Sequence, residues 1–456
     1  MSHSEIRDFT RGSIPKQLVI FATPLFLSNL LQVLYNMVDM IIVGMDCGTV
    51  GISAVSVGGD VSQLMTFAAM GFSNAGQVLI ARLIGGGKQE KIGRFVGTMS
   101  SFLFLCAVVI SVLGLVFQDG ILTLMSTPSG AWQGAAEYSA VCMAGLVFIY
   151  GYNIVSAILR GMGDSKHPFV FIGIAAGTNV ILDLILVLGF HLGPFGAAIA
   201  TVASQAFSFL CSLVFLIRAK ERFALNVPRT TFFRWDKEML LDLVKLGVPM
   251  AIKTASIQVS KLFVNSWVNS YGVEISAFAG IINKIASFSN LFSASINVAG
   301  STMAGQNIAA GKYRRVKKIM GSIAVITLSI AALLSAITLL FPDFVFSLFS
   351  DDPKVLALVD GFLPIAVLLY LGSALRAIMN ALLNGSGNYP VNFVTAIFDG
   401  IVMRIGLALL FGLGCGMAHY GFWLGDALAG FTPFFIGIVF YFSGKWKNGK
   451  PESDSE

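Results

Sequence analysis

The chain of 456 residues is 56% hydrophobic and 12% charged, with a mean hydropathy of +0.80 and a formal net charge of +6. A soluble domain is roughly a quarter charged. Half that density, spread among long apolar runs, excludes an ordinary soluble fold and implies a polytopic, all-α membrane protein. The five cysteines, Cys47, Cys106, Cys142, Cys211 and Cys415, form no CxxC and mostly lie in apolar runs, so neither a disulfide framework nor a metal site is indicated.

The N-terminus, MSHSEIRDFTRGSIPK, is polar and runs straight into a long apolar segment, so it reads as a retained cytoplasmic helix rather than a signal peptide. A membrane helix needs about 20 apolar residues. Twelve such spans follow in order: 15–44, 53–84, 94–118, 134–160, 168–190, 194–218, 240–270, 275–310, 319–341, 355–383, 390–412 and 418–443. Several are longer than the bilayer needs and should tilt or protrude.

A charge deep in the bilayer costs several kcal/mol and so faces a cavity or a partner. In the first half only two acids lie deep. Asp39 sits in the NMVDMIIVG stretch of span 1, one turn after Tyr35, and Asp183 sits in the NVILDLILV stretch of span 5. Asn179 shares a helix face with Asp183 at i, i+4. Asn153 in span 4 and Thr201 in span 6 add neutral oxygens, and no basic residue lies deep in this half. Two carboxylates held close can share one proton, and the same oxygens suit a small hard cation such as Na⁺. Cross-bonding of helices is the structural alternative.

The second half differs. It holds Lys253 and Lys261 in span 7, Lys284 in span 8, Arg376 in span 10 and Arg404 in span 11, with Asp399 and Asp426 as its deep acids. Lys253 and Lys261 lie about 80° apart on their helix, on one broad face. These bases either pair internally with Asp399 or Asp426, or line a surface that accepts an anionic or zwitterionic substrate. Met37, Met40, Met65, Phe67 and Met70 are candidates for an adaptable apolar surface.

The basic residues fix the orientation. The N-terminus, the turns after spans 2, 4 and 8, the link 218–245 and the tail hold 24 of the 30, whereas the opposite loops hold one, Lys354. Both termini are therefore expected in the cytoplasm, and the net positive charge is a topology signal that calls for no nucleic acid. The segment ARLIGGGKQEKIGRFVG (81–97) aligns with GQNIAAGKYRRVKKIMG (305–321) at an offset of 224, and LRGMGDS (159–165) with LNGSGNY (383–389) at the same offset. The chain thus divides into a first six-span bundle (1–218), a cytoplasmic linker (219–238) and a second six-span bundle (239–456), with the bundles related by a pseudo-two-fold along the membrane normal. Repeat-built carriers bind substrate between such halves and alternate access. GGGKQE is not a Walker A loop, which requires G-x-x-x-x-G-K-[ST]. No Ser-His-Asp set or metal-spaced cluster suggests an enzyme.

The repeated G-K turn, the LRGMGDSKHP turn and the NVILDLILV stretch resemble the multidrug and toxic compound extrusion (MATE) transporters over essentially the whole chain, and the DinF-like and MepA-like bacterial members more than the NorM branch. The resemblance implies two six-helix bundles around a V-shaped cleft in the bacterial plasma membrane. It implies antiport, with H⁺ or Na⁺ running inward and amphipathic, often cationic, compounds leaving. The coupling ion would be the sole cofactor, and small molecules and the bilayer the partners of a monomeric chain. By position, Asp39, Asn179, Asp183 and Thr201 match the cation site of DinF-like members and would be the metal ligands if the ion is Na⁺. Tyr35 and Asn153 join them as coupling candidates, and Lys253, Lys261, Lys284, Arg376, Met37 and Met70 as cleft candidates. The acidic ligands of the NorM branch would fall near Ser256/Ile257 and Ser373, none of them acidic. The alternatives are a dedicated exporter of an anionic or zwitterionic metabolite, and a lipid-linked oligosaccharide flippase.

Overall fold

Backbone N–H and C=O groups find no water inside a bilayer, so a spanning segment must satisfy them itself, and a helix does so. The computed structural model describes residues 6–448 except 126, 224, 226 and 228–234. It is helical, with no strand among the described residues. Nine of its described helices are singly long and apolar enough to cross a membrane. The first, Ile14–Gly85, runs for 72 residues through a break at Gly48 (φ 61°, ψ −151°) and contains spans 1 and 2. Trp132–Ala144 and Leu146–Gly161 meet at a 51° bend and together form span 4. Lys237–Asn269 supplies span 7, its apolar content diluted by its lysines and acids. The twelve expected spans are thereby accounted for.

Positions where the backbone takes φ > 0 repeat along the chain. Gly48 and Gly272, Gly87 and Gly311, and Gly163 and Gly387 are each 224 residues apart, as in the sequence repeat. Beyond them His191 and Gly416, and Gly193 and Ala418, are 225 apart. The added residue of the second half falls where Phe398–Val402 forms a π-helical turn that span 5 lacks, whereas the later π stretch Leu410–Gly414 answers Leu184–Gly189. A π turn takes one residue more than an α turn. Past Val402, each residue of the second half therefore corresponds to the one 225 positions earlier.

The chain forms two compact units, Met1–Asp8 with Thr23–Gly247, and Phe9–Ala22 with Val248–Glu456. This differs from the sequence division at 219–238. The start of span 7 packs in the first unit, and the start of span 1 in the second. Residues 6–13, part of the N-terminal segment expected to be helical, instead form an arm of turns with Gly12 at φ 76°, and residues 1–5 of that segment lie outside the described residues. Its polar groups are committed elsewhere. The Phe9 N–H donates to Gln306 Oε1 at 2.9 Å, and the Phe9 carbonyl accepts from Asn307 Nδ2 at 3.1 Å and Arg315 at 3.0 Å. Arg315 also donates to the carbonyls of Arg11 and Gly12, both at 3.1 Å, and Lys312 to that of Thr10 at 3.0 Å. The Phe9 ring is buried against Phe21 at 5.1 Å. In the first unit the matching G-K turn holds the entry to span 7, with Arg94 3.6 Å from Asp236 and the Asp236 N–H donating to Thr98 at 3.3 Å. The repeated turn is thus a clamp for an incoming chain segment in each unit.

Lipid tails are as apolar as Leu, so helices in a membrane associate through close packing and interhelical hydrogen bonds. Gly425 shows the first. A Cβ there would lie 2.3 Å from the Ala408 backbone nitrogen, so span 12 approaches span 11 main chain to side-chain-free surface. In the second unit Phe278, Phe362 and Trp423 pack ring on ring at 5.4–5.9 Å.

Candidate functional site

Span 1 brings Asp39, and span 5 Asp183, into the interior of the first unit, 5% and 0% exposed. Their carboxyl groups lie within hydrogen-bonding reach of each other, and no basic side chain among the described residues acts on either. Asn179, one turn before Asp183, is buried and donates a long hydrogen bond of 3.5 Å to the Thr201 hydroxyl. Tyr35 lies about 40° around the helix from Asp39, buried within electrostatic reach of it and beside Gln205. Asp39 Oδ1, both Asp183 oxygens, Asn179 Oδ1 and Gln205 Oε1 are buried acceptors with no donor among the described residues. Buried polar groups are normally satisfied, so this concentration makes the place the candidate site. Hard, partly anionic oxygens suit a proton or a small cation such as Na⁺ and repel an anion.

The structure adds residues that the sequence did not flag. Tyr138 reaches Thr201 and, like Cys142, lies within electrostatic range of Asp39. Both come from span 4, where an aromatic and a cysteine in an apolar run give no pattern. The Asn153 amide donates to the Ile149 carbonyl of its own helix at 2.8 Å. Met37 lies about 160° around the helix from Asp39, away from the carboxylate face. It is 50% exposed, and Met70 is 41% exposed.

The second unit holds a different cluster. Asp399, fully buried on the π turn, lies 3.0 Å from Arg376 and 3.6 Å from Arg404. Arg404, 2% exposed, also pairs with Asp426. Lys253 donates to the neutral Asn380 Oδ1 at 2.6 Å. Lys261 borders a cavity with Asp426, and Lys284 is exposed on span 8. The arginines therefore pair with Asp399 and Asp426, as the first of the two sequence alternatives has it. At the NorM-branch places, Ser373 shares a 2.7 Å hydrogen bond with Ser293, and Ser256 packs under Gly400.

The MatE family model matches residues 24–185 and again 249–410. The chain belongs to the MatE family. The two matches begin and end 225 residues apart, the spacing of the backbone landmarks past Val402 and one more than that of the earlier ones. Among MatE-type relatives, the chain is 29% identical over 442 residues to the probable multidrug resistance protein YoeA of Bacillus subtilis (strain 168), covering 96% of this chain and 95% of that one. It is 25% identical over 408 residues to the multidrug export protein MepA of Staphylococcus haemolyticus (strain JCSC1435), covering 88% of each. A solved structure described as the outward-facing conformation of a multidrug resistance MATE family transporter of the MOP superfamily shares the fold, with a TM-score of 0.89 at 21% identity over 99% of this chain and 100% of that one. The MATE resemblance read from the G-K turns and the span 5 stretch is confirmed.

Proposed function

We propose that this MatE-family chain is a secondary active exporter, an antiporter in which H⁺ or Na⁺ entering at the Asp39–Asp183 pair drives amphipathic, often cationic, compounds out across the plasma membrane. The observation that carries the reading is the orphaned carboxylate pair. Two unit charges about 4 Å apart repel by about 4 kcal/mol at an effective dielectric near 20, and neither carboxylate has a basic partner. A proton or Na⁺ between them relieves that repulsion. Its release as the surrounding helices shift would link ion movement to the conformational cycle. Asn179, Thr201 and Tyr35 line the same pocket of polar groups and would complete the ion's surroundings. YoeA and MepA, named for multidrug resistance and export, support the direction of transport.

The test is dye efflux from membrane vesicles under imposed pH or sodium gradients. The native chain should respond to one of the two, and Asp39→Asn and Asp183→Asn should abolish the response at normal abundance. Gradient-driven efflux retained by Asp39→Asn would sink the reading.

A further inference from the structure

We infer that one end of the second unit, where span 9 begins and the chain leaves span 12, is a surface that binds the headgroups of anionic phospholipids. Span 9 opens at Tyr313 and exposes Arg314, Lys317 and Lys318. The chain leaves span 12 at Phe442, turns at Gly444 (φ 70°) and forms the short helical turn Lys445–Asn448, which exposes Lys445 and Lys447.

Attachment is the first argument. Trp446, 1% exposed, stacks on Tyr441 with ring centroids 5.9 Å apart and donates its Nε1–H to the Tyr441 carbonyl at 2.9 Å. Tyr313 meets the Trp446 ring edge-on at 5.5 Å and donates its hydroxyl to the Lys447 carbonyl at 2.9 Å. The turn is thus pinned to the start of span 9, where Lys317 stands about one helical turn after Tyr313. The two basic stretches belong to one surface.

Charge is the second argument. The neighbouring Lys312 and Arg315 are taken up by the N-terminal arm. The side chains of Arg314, Lys317, Lys318, Lys445 and Lys447 form no ion pair with a described residue. Residues 311–321 and 441–450 contain no acid. The complement of such a surface is an anion.

The repeat supplies a comparison. At the 224-residue spacing Arg314, Lys317 and Lys318 answer to Glu90, Gly93 and Arg94, and at 225 Lys445, Trp446 and Lys447 answer to Lys220, Glu221 and Arg222. Two acids interrupt the basic run there, and Arg94 lies 3.6 Å from Asp236. Orientation in the membrane requires a basic excess only. The acid-free version in the second half exceeds that requirement.

The fourth argument selects a lipid as the anion. Phe435, Val439 and Phe442 are exposed on one face of span 12, just before the turn. An apolar face that ends at a basic rim matches a phospholipid, with acyl chains on the face and the phosphate at the rim. The inference goes beyond the export reading and needs only that the chain spans a membrane.

The experiment is native mass spectrometry of the purified full chain in detergent, titrated with phosphatidylglycerol, phosphatidylcholine and soluble glycerol phosphate. Phosphatidylglycerol should bind at least tenfold tighter than phosphatidylcholine. One basic residue near an anionic surface is worth about fivefold, so Lys445→Gln/Lys447→Gln should cost tenfold or more at an unchanged melting temperature. Lys91→Gln/Lys220→Gln, which removes two charges from the corresponding end of the first unit, should leave the tightest binding as it is. Should a variant fail to fold, the native chain still decides, because its preference should collapse as ionic strength rises and a preference that survives overturns the inference. So does equal binding of the two lipids, or an equal loss in the two double variants. Glycerol phosphate that displaces the lipid at equal concentration would mean a soluble phosphate site. A preference that emerges only in Glu452→Gln/Asp454→Asn/Glu456→Gln would mean that the chain's own acidic tail occupies the surface. Either result also overturns the inference, and none of them bears on efflux.

Discussion

Asp399→Asn tests whether the buried charges of the second unit hold one another. The substitution keeps the shape and one acceptor oxygen and removes the charge. Asp399 is fully buried, 3.0 Å from Arg376 and 3.6 Å from Arg404. Arg404 keeps Asp426 as a partner. Arg376 has no other carboxylate within ion-pair distance among the described residues, so one buried guanidinium is left uncompensated. Breaking a buried pair in this way costs about 3–5 kcal/mol. At about 2 °C per kcal/mol, the scaling for a unit of about 200 residues, the melting temperature should fall by about 6–10 °C. The assay is heating of the detergent-solubilised protein followed by size-exclusion chromatography. Adding Arg376→Met to Asp399→Asn removes both charges and should recover most of the loss. A single variant that melts within about 2 °C of the native chain, or a double variant no better than the single, would refute the reasoning.

The opposite sign is expected in the first unit. Asp183→Asn removes one of two unpaired buried like charges, so the same melting assay at pH 8 should show an equal or higher temperature, and a fall of several degrees would contradict the description of the pair. Gly425→Ala would push a Cβ to 2.3 Å from the Ala408 backbone, where nothing flexible can yield, so a loss of about 1–3 kcal/mol and reduced abundance are expected. Gly280→Ala, with nothing within 4 Å of the added atom, should be neutral. Arg315→Ala removes the donor to three carbonyls of the N-terminal arm. Trypsin should then cut after Arg11 faster than in the native chain, as read by mass spectrometry, and equal rates would show that the arm is held by other means.

The spans were legible because long apolar runs are the strongest pattern a membrane chain has. The repeat was legible because its G-K turns impose backbone requirements that survive divergence elsewhere, as Gly87 and Gly311 at φ 72° and 68° show. Asp39 and Asp183 stood out because a charge in an apolar run is expensive. What stayed hidden depends on distant contacts. The arm at Phe9–Gly12 is set by Asn307, Lys312 and Arg315, some 300 residues away, so nothing local announces that it is not helical. Tyr138, Cys142 and Gln205 are ordinary in sequence and become neighbours of the site only through the packing of spans 4 and 6. The π turn at Phe398–Val402 adds one residue that hydropathy does not register, yet it sets which residues of the two halves correspond.

That correspondence separates the roles of the two halves. An acid held by an arginine, as Asp426 is by Arg404, has its charge fixed by its neighbour and gains little from capturing an ion. An acid with no partner, as Asp183 is, changes its occupancy whenever its surroundings change. Coupling requires the second kind, because an ion must be bound at one stage of the cycle and released at another. The first half keeps Asn179 and Asp183 unpaired by any base. The second puts Arg404 and Ala408 at the equivalent places and ties its two deep acids, Asp399 and Asp426, to arginines. Among the described residues the second half thus has no deep acid without a basic partner, and such acids are what the first half has. One duplicated framework accordingly holds two polar clusters of different character, and Asn179, Asp183 and Thr201 of the first answer to Arg404, Ala408 and Asp426 of the second.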